Sequence, residues 1–98
     1  MNKKYFALKL NPSRPDFAQT MSDEERFIMQ QHAAYWRNFM SKGMVIAFGP
    51  VLDPKGTYGF GIVAVDDEQE VKDFIANDPA DKINEYEYHP MLAVLPDK

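Results

Sequence analysis

With 98 residues, 45% of them hydrophobic and 27% charged, the chain has the balance of one globular domain and not of a disordered tail or a fibre. Fifteen acidic against eleven basic residues leave a net charge of -4, which excludes the cationic excess that a nucleic-acid partner requires. There is no cysteine, hence no disulfide and no thiolate ligand, and nothing demands an oxidising compartment.

The basic start Met1-Asn2-Lys3-Lys4 is followed by an apolar run that Lys9 interrupts, so no export signal is expected. Every apolar stretch falls short of the ~20 residues that cross a bilayer. The expected setting is cytoplasmic, with no membrane partner and one domain over residues 1–98.

Phe6, Leu8 and Leu10 alternate with Tyr5, Ala7 and Lys9, which predicts a strand over residues 4–10. Pro12 and Pro15 then exclude regular structure, and the loop runs to about Met21, long enough to border a cleft as a mobile flap. Ser22 with Glu25 forms a capping box, and Lys42-Gly43 a stop, so a helix is expected over residues 23–42. Ile28, Tyr35 and Phe39, joined by Phe27, Ala34, Gln31 and His32, make its expected buried face.

Residues 44–51 and 58–65 are apolar and rich in β-formers, and Asp53-Pro54-Lys55-Gly56 between them carries type I turn preferences. A hairpin follows. Asp66 is the expected cap of a second helix whose inner side is Val71, Phe74 and Ile75, with Asp78-Pro79 ending it. Residues 84–95 alternate again, with Pro90 suited to an edge or a bulge.

The order β-α-β-β-α-β predicts an α+β, ferredoxin-like fold: a four-stranded antiparallel sheet with two helices on one face. Most strands are apolar on both faces, as in Phe60/Ile62 against Val63/Val65, so the uncovered face is expected to meet a second copy in a homodimer.

His32 lies beside the helix stripe, where it reads either as a core-edge histidine with a hydrogen bond or as an acid/base group. Asp78-Pro79 reads as punctuation. His32, Asp78 and His89 lack the spacing of a metal motif, and no metal site is expected. Gly56, Gly59 and Gly61 are not spaced as a phosphate loop, and no serine neighbours a histidine. Trp36, Tyr5, Tyr86 and Tyr88 read as core or interface residues.

His32-Ala33-Ala34-Tyr35, then Gly49-Pro50-Val51-Leu52-Asp53 with Gly56, then Asp78-Pro79, stand in the order seen in YCII-related domains, which the chain resembles over nearly its whole length. The resemblance implies a dimeric α+β barrel of two face-to-face ferredoxin-like sheets. It implies a catalytic pair, His32 and Asp78, with Tyr35, Gly49, Pro50, Asp53 and Pro79 as substrate contacts, and it implies no cofactor. Some relatives are associated with chlorinated hydroxyquinones or similar small cyclic compounds. The loop of residues 11–21 is longer than is common in the family. The expected activity is acid/base chemistry on a small substrate of aromatic or cyclic kind; the alternatives are a ligand-binding or regulatory dimer and, further off, a cofactor-independent monooxygenase.

Overall fold

Alternation along Lys4–Asn11 becomes alternate burial in the computed structural model, which describes residues 3–96 and so leaves the Met1-Asn2 part of the basic start outside the described residues. In this strand, β1, the side chains of Phe6, Leu8 and Leu10 are buried on one face. The strand lies inside a four-stranded antiparallel sheet, paired with β3 (Tyr58–Val65) and with β4 (Glu85–Met91), while β2 (Val45–Val51) pairs with β3. The strand order is β2-β3-β1-β4, the ferredoxin-like arrangement. Among the described residues no helix is long and apolar enough to cross a membrane.

A one-turn helix, α1 (Phe17–Thr20), corrects the expectation of an irregular loop up to Met21. It begins just beyond Pro15, where the Asp16 carbonyl accepts from the Gln19 and Thr20 amides and Phe17 has a core to enter. The long helix α2 (Asp23–Ser41) starts on the expected capping box: Glu25 N donates to Ser22 Oγ at 3.1 Å and Ser22 N to Glu25 Oε1 at 2.9 Å. It stops in a Schellman motif. Gly43, at φ 88°, donates to Met40 O and Met44 N to Phe39 O, a conformation that a side chain at residue 43 would strain.

The buried face of α2 is rotated from the expected one. Phe27 is 59% exposed, Gln31 and Ala34 are exposed as well, and Trp36 is buried. The physical reason is a matched pair: Gly61 on β3 leaves a gap into which the indole drops, and a Cβ at residue 61 would stand 2.3 Å from Trp36 Cζ3. The largest side chain sets the helix rotation, and Phe27 loses. Gly61→Ala is therefore expected to cost about 1 to 3 kcal/mol in urea unfolding and to shift the fluorescence of the chain's one tryptophan. Unchanged stability and emission together would show that the helix adjusts freely.

Helix α3 (Glu68–Ala76) is capped by Asp67, whose Oδ1 accepts from Glu70 N at 3.1 Å, and not by Asp66 as expected. Asp66 instead receives Lys3 Nζ at 3.0 Å. Val71 and Phe74 are buried, joining the core of Phe6, Leu8, Trp36, Val45, Val63 and Val65. A 3-10 turn at Pro79–Lys82 leads to β4, an edge strand that tolerates Pro90. This strand ends at Met91 and not at residue 95: its pairing with β1 stops at Met91 opposite Tyr5, and Leu92 and Val94 stand in the open.

The long helices α2 and α3 leave one sheet face uncovered. Ala47, Ile62, Ala7 and His89 form one row across it, and Gly49, Phe60, Lys9 and Glu87 the next.

Candidate functional site

Asp78 caps the 3-10 turn that follows α3, its Oδ1 accepting from Ala80 N at 2.9 Å. That local role fixes a carboxylate 2% exposed beneath α2. Three more donors converge on it. His32 Nδ1 stands 3.0 and 2.9 Å from its two oxygens, Trp36 Nε1 donates to Oδ2 at 2.8 Å, and the Tyr86 hydroxyl from β4 donates to the same oxygen. His32 and Trp36 are four residues apart on α2, so one helix face delivers both.

Burial alone pushes the Asp78 carboxyl up, but the hydrogen bond and charge of His32, with the Tyr86 and Ala80 donors, bring it below its ordinary value. The group is an ionised acceptor. Burial, then the charge of Asp78, pushes the Tyr86 phenol well up, so it remains a donor. Surrounded by donors, Asp78 takes a proton-bearing Nδ1 from His32, which in the neutral ring leaves the lone pair on Nε2. Nε2 has no hydrogen-bond partner among the described residues, and it is not among the sealed atoms.

The ring lines a cavity of about 240 Å³ between α2, the sheet and the loop after β1. Its wall is mostly apolar: Leu8, Leu10, Phe17, Met29 and Phe48 lie beside the polar groups of His32, Tyr86 and Asn84. Gly49 and Pro50 line it too. Tyr35, Asp53 and Pro79 lie elsewhere. The Tyr35 hydroxyl donates to Phe74 O at 2.7 Å, and burial followed by the Asp78 charge pushes it up to about 12. Asp53 accepts from Lys55 N in the hairpin turn, and Pro79 opens the 3-10 turn. Among the described residues no cluster of three or more potential ligands gathers for a metal ion.

Pro12, Phe17, Ala18 and Met21 bring the loop to the cavity, as expected of its place. Arg14 ties it down: Nη1 and Nη2 grip Glu25 at 3.1 and 2.9 Å, and Nη2 also reaches Thr20 O at 2.7 Å. Hydrogen bonds from Arg14, then from Ser22 N, hold the Glu25 carboxyl down at about 2. A depressed carboxyl stabilises above its unfolded value and loses that contribution as pH falls through the folded one. The loop anchor is thus expected to hold at neutral pH and to release on acidification toward about pH 2. Arg14→Ala should speed amide exchange at residues 17–21 at neutral pH; exchange as slow as in the wild type would assign the loop to the core packing of Phe17.

Sequence reasoning did not find Trp36, Tyr86 or Asn84 as parts of this site. Trp36 could have been found, since it is four residues from His32 on one helix; the other two come from β4 and its approach, which spacing does not connect to α2.

Fold and site together define a ferredoxin-like domain with a buried, oriented His-Asp pair opening onto an apolar cavity. The YCII-related domain matches residues 6–93, and the chain belongs to that family. No curated protein matches the chain.

Proposed function

We propose that this domain carries out acid/base chemistry on a small, mostly apolar ring compound, with His32 exchanging the proton and Asp78 holding its ring. The observation that carries this is the arrangement of His32: Nδ1 bonded to an ionised, buried Asp78, and Nε2 without a partner at the wall of a cavity. A carboxylate behind the imidazole selects the tautomer and stabilises the imidazolium that forms when Nε2 takes a proton. Size supports the substrate class. A dry cavity of ~150 Å³ takes benzene, so about 240 Å³ suits a substituted ring or a compact bicycle.

The test is turnover of hydroxylated and chlorinated one-ring compounds, with products and deuterium uptake from heavy water read by mass spectrometry. Conversion by the wild type that His32→Asn loses supports the reading. Compounds that bind without conversion or exchange favour a ligand-binding module.

The reading includes a homodimer through the bare sheet face. The chain exposes 6700 Å², about 1000 Å² more than a folded monomer of its mass usually shows, and a standard interface covers ~800 Å² per partner. Phe60, the half-buried Ile62 and the open Leu92 and Val94 are the apolar groups to cover. Light scattering at micromolar concentration is expected to return twice 11.3 kDa, and Ile62→Lys to return the monomer; a wild-type monomer rules the dimer out.

A further inference from the structure

Asn84 sits just ahead of β4, 8% exposed, in the wall of the same cavity as His32. Its Oδ1 has no hydrogen-bond partner, the one such sealed side-chain atom among the described residues. Its Nδ2 has only the thioether of Met29, at 3.6 Å. Sulfur is a weak acceptor, so the amide is nearly unpaired at both ends.

The usual local reasons for asparagine are absent. No non-glycine described residue has positive φ, so residue 84 is not there for a left-handed turn. Its side chain caps no helix, because the turn before it is capped by Asp78 and closed by backbone bonds, Ile83 N and Asn84 N both donating to Ala80 O. A buried amide without partners costs stability, and a leucine of similar size would suit the apolar wall that Leu10, Phe17 and Met29 contribute to the cavity better.

We infer that Asn84 is a specificity-determining residue that reads a hydrogen-bond donor, a hydroxyl or an N–H, on the ring compound in the cavity. The inference rests on the cavity being the substrate site and adds what the substrate must carry. Rotation about the last side-chain bond, which gives up the one weak hydrogen bond to Met29 Sδ, would bring the carbonyl to the occupant. The ligand then meets a polar group at Asn84 and the free Nε2 of His32, with apolar wall between. Such a site favours a ring bearing a donor over the same ring without one, since only the former satisfies the amide.

The experiment compares 4-methylphenol with 4-fluorotoluene, similar in size but without the donor, by calorimetric titration of the full chain, its Asn84→Leu variant, and both in a His32→Asn background. The ratio of the two dissociation constants is expected to shift by about threefold to tenfold toward 4-fluorotoluene on Asn84→Leu, the range of one hydrogen bond. The shift should persist when His32 is asparagine. Thermal unfolding without ligand should occur at a higher temperature in Asn84→Leu, whereas a structural asparagine would lower it. A ratio unchanged by Asn84→Leu, a shift that vanishes in the His32→Asn background, or no binding of either compound to the wild type overturns the assignment. Turnover tested against His32→Asn decides the acid/base reading separately, so either idea can fail alone.

Discussion

Asp78→Ala is expected to destabilise the domain by about 3 to 5 kcal/mol, the range for removing one partner of a buried charged network. The carboxylate accepts from His32, Trp36, Tyr86 and Ala80, and its loss leaves the Tyr86 O–H and the His32 ring without their acceptor and the buried indole N–H with only the Tyr86 oxygen at 3.1 Å. In a chain of this length that loss lowers the unfolding temperature by more than ~10 °C. Asp78→Asn is not a mild change, because its NH2 must face at least one of the same donors. The pH dependence carries a sign. The folded Asp78 carboxyl lies below its ordinary value, so its stabilisation is complete above about pH 4 and disappears as pH falls through the folded value. Wild-type stability should fall more steeply than that of Asp78→Ala below that pH in acid titrations read by circular dichroism. Parallel curves, or a loss under ~1 kcal/mol, would mean that water replaces the carboxylate without cost.

The elements that can be read from the chain are those fixed by local chemistry. Phe6, Leu8 and Leu10 alternate because a pleat requires it, and Ser22 with Glu25, or Lys42 with Gly43, closes a helix end with atoms a few residues apart. The rotation of α2 is another matter. Phe27 and Trp36 are both large and apolar, and the choice between them is made by the gap above Gly61, on a strand that sequence spacing cannot place against the helix. The same holds for caps one residue apart: Asp66 and Asp67 are chemically equal, and Lys3 claims the first. At the site, the pairing of His32 with Asp78 followed from a family resemblance, and the contact at 2.9 Å is there. Trp36 and Tyr86 meet the same oxygen only because α2 and β4 converge, and Asn84 has no pattern around it at all.

His32→Asn is expected to lower turnover of any compound the domain converts by about 10²- to 10⁴-fold, the contribution of a positioned general acid or base, while leaving most of the stability. The substitution separates the two nitrogens of the ring. An asparagine amide places a donor close to where Nδ1–H stands, so Asp78 keeps a partner in place of the 2.9 Å contact and the Trp36 and Tyr86 donors stay where they are. Nothing replaces Nε2, the nitrogen without a partner on a ring that lines the cavity, so the proton has no acceptor. His32→Gln inverts the comparison: its amide reaches the Nε2 position and leaves Asp78 short of a donor, which should cost more stability and restore little rate. Urea unfolding and single-turnover rates on the wild type and both variants separate the cases. If His32→Asn retained rate within about threefold, the ring would be a structural hydrogen bond to Asp78, and chemistry in the cavity would have to run through another group.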